Sequence, residues 1–131
     1  MTGLSKGELK LLTVSVEREL WAAHSLELPD GSREPEHFHN FLITVAVKGE
    51  EIDEAGVLID FKVLKEITDE ILHQFDNNAL EQDKYFLEHG SSTEVLAKHI
   101  YEQLKNRIPQ NVKMDSVKVV EEPGCSVLYA E

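Results

Sequence analysis

With 131 residues, 41% of them apolar and 29% charged, the chain has a globular composition and the length for one core. Twenty-five acidic residues against thirteen basic ones leave a net charge of −12, which repels phosphate backbones and anionic lipid, so nucleic acid and membrane surfaces are excluded as expected partners. No apolar run approaches the roughly 20 residues of a membrane helix, MTGLSKGELK lacks a signal-peptide apolar stretch, and Cys125 stands alone, so a cytoplasmic protein without disulfides is expected.

Between Leu9 and Ala23, the residues Leu12, Val14, Val16, Leu20 and Ala22 keep a period near two and predict a half-buried strand with His24 at its end. LELPDGSREPE is rich in turn formers and leads to a second strand, residues 38–48. The two strands are expected to pair as an antiparallel hairpin with a long connection, which sets His24 across from His37 and His39. After the acidic turn GEEIDEAG, the spacing of Leu64, Ile67, Ile71 and Phe75 predicts a helix capped by Asp60. DNNALEQDKYFLEHG reads as a polar separator. A second helix is expected to open at SSTE, where Ser91 and Glu94 have capping-box spacing, and to carry Leu96, Ile100, Leu104 and Ile108 up to Pro109. SVKVVE and CSVLY, joined by EPG, predict a terminal hairpin.

This order predicts a two-layer α+β domain over residues 1–131, a four-stranded antiparallel sheet (ββααββ) with two helices on one face and residues 1–9 as a loose extension. The sheet's other face is not clearly polar, and a symmetric oligomer is the usual relief for such a face.

Side chains at i and i+2 of a strand share a face, so His37 and His39 present two imidazoles side by side, with His24 as the third ligand. Three neutral imidazoles with a fourth position open form the ligand set of catalytic zinc, whereas structural zinc favours cysteines and this chain has one. His73, His89 and His99 carry no comparable pattern and read as ordinary polar positions, His99 at the surface or an interface; Cys125 reads as a small filler at the start of a strand.

The ordered segments WAAH, HFHN, GVLIDF, STEVLA and VVEEPGCSVLY resemble the 6-pyruvoyl-tetrahydropterin synthase and 6-carboxytetrahydropterin synthase family over nearly the whole chain after about residue 10. The resemblance implies a T-fold whose sheets join into a barrel around trimers, often stacked as hexamers, with active sites between subunits. It also implies Zn2+ on His24, His37 and His39, a reduced pterin as the bound small molecule, Glu121 as the anchor of the pterin's 2-amino and N3 edge, and Ser92 and Thr93 as hydroxyl residues of the same pocket. A carboxylate suits the anchoring role because it accepts two charge-assisted hydrogen bonds from a guanidine-like edge.

Several positions depart from the family pattern. Arg33 stands at the catalytic cysteine, Phe38 replaces the glycine of the HGH motif and is expected to reshape the pocket wall, and in DNNALE the catalytic histidine has become Asn77 while Asp76 is kept. Glu34, three residues before His37, is similar to the glutamate that replaces the cysteine in a bacterial subgroup, which cleaves dihydroneopterin to 6-hydroxymethyl-dihydropterin, a folate precursor. The resemblance therefore implies a zinc-dependent lyase acting on the side chain of dihydroneopterin or its triphosphate, with Glu34 and Asp76 as catalytic residues. The high negative charge fits the unphosphorylated diol better than the triphosphate. The alternative is a family member that holds zinc and pterin without turnover.

Overall fold

The computed structural model describes residues 11–131. The expected start of the first strand at Leu9 and the expected extension over residues 1–9 lie outside the described residues. Four strands, β1 (Leu12–His24), β2 (His37–Gly49), β3 (Lys113–Glu122) and β4 (Cys125–Tyr129), form one antiparallel sheet in the order β1-β2-β3-β4. Helices α1 (Phe61–Leu72), α2 (Lys84–His89) and α3 (Thr93–Lys105) lie between β2 and β3 in the chain.

The pleat explains the two faces. Val16, Leu20 and Ala22 of β1, with Phe41, Ile43, Val45 and Val47 of β2, are buried on the face covered by α1 and α3, where they meet Leu64, Ile71, Leu96, Ile100 and Leu104. Arg18 sits on the same face and reaches α1 through a two-pronged pairing with Asp69, 2.7 and 2.8 Å. The opposite face exposes a stacked pair, Trp21 and Phe38, with centroids 5.2 Å apart. Leu128 is exposed there too. No helix is long and apolar enough to cross a membrane among the described residues.

Three local expectations change. Asp60 does cap α1, accepting from the Lys62 N–H at 2.8 Å, but the helix stops at Leu72, so Phe75 reaches the core from the following turn. Helix α3 is capped by Ser92, whose hydroxyl accepts from Val95 N–H at 3.1 Å, and Ser91 is buried one residue outside it. The stretch read as a polar separator folds into a 3-10 turn, Leu80–Gln82, and α2, which Asp83 caps. Its two buried anchors, Leu80 and Phe86, are too few to show a helical period among so many polar residues.

Candidate active site

The register of the β1–β2 hairpin builds the site. His24 lies directly opposite His37, and Ala22 opposite His39, so all three imidazoles leave the sheet on the helix-covered face. Their ring centroids are 4.7 to 5.1 Å apart, and one nitrogen from each lies within 4.8 Å of the others.

Hydrogen bonds orient two of the rings. His24 Nδ1 donates to the Ser91 carbonyl and His37 Nδ1 to the Pro35 carbonyl, each at 2.9 Å. A carbonyl only accepts, so the proton is assigned to Nδ1 and the lone pair of each neutral ring sits on Nε2. Those two Nε2 atoms are 3.1 Å apart. Two lone pairs at that distance repel unless a proton or a cation lies between them.

His39 Nε2 is buried with no hydrogen-bond partner. Burial holds the His39 pKa below its ordinary value, assisted by His24 and His37 and opposed chiefly by Glu121, so the ring stays neutral near pH 7. Neutral, inward-facing, partly orphaned imidazoles fit a divalent metal ion of borderline softness, and this cluster could hold one.

Two carboxylates flank the triad. Glu121 Oε1 lies 3.3 Å from His24 Nε2 and 3.9 Å from His39 Nε2, and accepts from the Thr93 hydroxyl at 2.8 Å. Glu34 Oε1 lies 3.8 Å from His37 Nε2 and accepts from the Leu26 N–H at 3.0 Å. Residues 25–34 are tied back on themselves: Ser25 Oγ donates to the Glu34 carbonyl at 2.5 Å and Arg33 to the Ser25 carbonyl at 2.6 Å. Beside Glu121 opens a cleft of 260 Å³ lined by Ser92, Thr93, Leu26, Cys125 and Ser126. A wider depression of 720 Å³, at the start of α1, holds none of the histidines.

Other residues weighed in the sequence lie elsewhere. Phe38 points to the opposite face of β2 and stacks on Trp21, so within one chain it does not form the wall of the pocket beside Glu34; strand alternation sends it there. The Asp76 carboxylate makes no hydrogen bond or ion pair with the three histidines among the described residues. Its turn runs along the outer edge of β1, where Asn77 N–H donates to the Trp21 carbonyl at 2.7 Å and Ala23 N–H to the Asn78 carbonyl at 3.0 Å. His99 packs on Tyr85, centroids 3.7 Å apart, against Phe86 and is half-buried. The support that Ser91 and Pro35 give the histidines had no signature in the sequence because both act through carbonyls.

The sequence profile described as 6-pyruvoyl tetrahydropterin synthase matches residues 13–131. The chain belongs to that family. It is 28% identical over 110 residues to the 6-carboxy-5,6,7,8-tetrahydropterin synthase of Rickettsia conorii, covering 70% of this chain and 80% of the relative. To the dihydroneopterin monophosphate aldolase of Pyrococcus furiosus it is 28% identical over 100 residues, 76% of this chain and 81% of that protein. The structure of Caenorhabditis elegans 6-pyruvoyl tetrahydropterin synthase superposes with a TM-score of 0.84 at 23% identity, covering 94% of this chain and 97% of that one. The fold is thus the T-fold, and the family is one whose members process pterin side chains.

Proposed function

We propose that the protein is a zinc-dependent lyase that cleaves the side chain of dihydroneopterin, or a phosphorylated form of it, to 6-hydroxymethyl-dihydropterin. The observation that carries this reading is the placement of Glu34, 3.8 Å from His37 Nε2, on one flank of the three-imidazole cluster with Glu121 on the other. The likeness to an aldolase acting on a dihydroneopterin phosphate supports the same reaction class.

Zinc held by His24, His37 and His39 would supply a Lewis acid that lowers the pKa of a side-chain hydroxyl. Glu121 accepts hydrogen bonds from the pterin's 2-amino and N3 groups and orients the ring, with Thr93 presetting the carboxylate and Ser92 lining the same cleft. Glu34 takes the proton of the 2′-hydroxyl. The C1′–C2′ bond then breaks, its electron pair passes toward the N5=C6 imine of the ring, and C2′ and C3′ leave as glycolaldehyde, or as its phosphate where the side chain is phosphorylated. Return of a proton to C1′ completes 6-hydroxymethyl-dihydropterin. The Leu26 N–H fixes Glu34 for this transfer at 3.0 Å.

Asp76 would join the site only from a neighbouring copy, since its own turn lies along the outer edge of β1. We accordingly propose an assembly of trimers or hexamers, with the exposed Trp21, Phe38 and Leu128 among the surfaces covered, in a cytoplasmic setting. The competing reading, a protein that binds zinc and pterin without turnover, is favoured by Arg33 and Asn77 at the positions of the family's reactive cysteine and histidine.

Release of glycolaldehyde from dihydroneopterin by the zinc-loaded protein decides between them. Activity that survives Cys125→Ser and disappears in Glu34→Ala is expected. Full activity in Glu34→Ala overturns the assignment, and tight pterin binding without product for any substrate form establishes the competing one.

A further inference from the structure

The metal-site histidine that is most deeply buried, His24 at 1% exposure, is enclosed by a closed ring of contacts. The peptide N–H of Ser25, the residue following it, donates to Glu81 Oε1 at 2.8 Å. The Ser91 hydroxyl donates to the same oxygen. The Ser91 carbonyl in turn accepts from His24 Nδ1 at 2.9 Å. The circuit therefore closes: one bond through the chain from His24 to Ser25, then Glu81, then Ser91, then back to the imidazole.

We propose that Glu81 is a positioning residue for the metal centre, holding His24 Nε2 in register with His37 and His39 by fixing both the backbone behind His24 and the carbonyl that orients its ring. This rests on the metal reading of the three histidines. The single oxygen of Glu81 ties together two segments that are 66 residues apart in sequence, Ser25 at the end of β1 and Ser91 ahead of α3. Neither hydrogen bond orders the ring by itself: the first constrains the peptide that follows Cα, the second the acceptor of Nδ1–H.

The second carboxylate oxygen, Oε2, is buried without a partner. Through the Ser25 peptide and Ser91, Glu81 fixes the backbone behind His24 and the acceptor of its Nδ1–H, and so the direction of Nε2. Outer-shell partners of metal-bound histidines act in this way. Among the described residues Glu81 makes no hydrogen bond or ion pair with the three histidines, so its role is positional.

The test is a metal titration of the full chain, with Co2+ followed by its visible absorption and Zn2+ by competition with a chromophoric chelator. Wild-type protein is expected to bind both. Glu81→Ala is expected to weaken both by about tenfold, the lower end of what loss of an outer-shell partner costs, with an altered Co2+ spectrum. Glu81→Gln, which keeps the oxygen acceptor, is expected to recover most of the affinity and the native spectrum. Thr68→Val, which removes a buried hydroxyl bonded to the Leu64 carbonyl at 2.8 Å on α1, is a control for lost stability alone and is expected to leave metal affinity unchanged. If Glu81→Ala does not fold, Ser91→Ala takes its place, since it deletes the hydroxyl and keeps the carbonyl; weakened binding supports the circuit. Folded Glu81→Ala or Ser91→Ala binding both metals like wild type overturns the role of Glu81 and leaves the metal reading standing. Wild-type protein that takes up neither ion overturns the metal reading, and this inference with it.

Discussion

Replacing Thr93 by valine deletes one hydroxyl and keeps the shape of the side chain, so it isolates the 2.8 Å hydrogen bond from Thr93 Oγ1 to Glu121 Oε1. Thr93 is 7% exposed, while the Glu121 side chain is 29% exposed, so the bond is shielded from one side. A hydrogen bond to a charged group contributes about 1.5–3 kcal/mol net, and partial hydration of the carboxylate places this one near about 1.5 kcal/mol. Without it, Glu121 keeps only its approaches to His24 and His39, at 3.3 and 3.9 Å, and a pterin must order the carboxylate further as it binds. At 1.4 kcal/mol per factor of ten, pterin affinity is expected to fall about tenfold. The assay is a fluorescence titration of the zinc-loaded Glu34→Ala protein with dihydroneopterin, with and without Thr93→Val. Chelator competition on the same samples is the internal control, because Thr93 bonds to no histidine and zinc affinity is expected to hold. Ser92→Ala makes the useful contrast: it removes the cap of α3 and is expected to cost about 1 kcal/mol of stability, read in thermal unfolding. An unchanged pterin Kd in Thr93→Val would refute the idea that Thr93 presets the anchor.

Two further outcomes concern the scaffold. A Cβ at Gly49 would sit 2.8 Å from Leu58 Cδ1 and 2.9 Å from the Asn111 carbonyl oxygen, and the backbone oxygen has little room to retreat because Asn111 also donates through its side chain to the Leu58 carbonyl. Gly49→Ala is therefore expected to cost about 1–3 kcal/mol, as overpacking does. At the usual unfolding entropy for this length that is about 4–10 °C in Tm, and a Tm within 1 °C of wild type, on the order of experimental error, would contradict the clash. His99 has its pKa held below 6.5 by burial, with Asp83 and Glu102 opposing. The unfolded chain therefore takes up the proton first as pH falls, so stability from this group is complete above 6.5 and declines as pH drops from there toward the folded-state pKa. Urea unfolding at several pH values between 7 and about 5 is expected to show a flatter profile for His99→Phe than for wild type, and an identical slope would remove the basis for this assignment.

What the sequence determined by itself was local. Period-two alternation told that His37 and His39 share a face, and the same alternation already sent Phe38 to the other one, away from the site it was expected to shape. Asp60 as a cap was readable because a cap is decided within three residues. The expected hairpin already set His24 across from His37 and His39, and the pairing bears this out. The tertiary structure alone decided what depends on distant segments meeting: the Ser91 and Pro35 carbonyls that set which nitrogen each ring turns inward, and the Glu81 brace 57 positions from His24. Carbonyls leave no trace in residue identity, since every residue carries one. A carboxylate's partner 56 residues away is chosen by packing rather than by spacing. The run of residues 76–90 illustrates the same division: its polar letters conceal α2 because Leu80 and Phe86 become anchors only once the sheet, α1 and α3 supply the apolar surface that receives them.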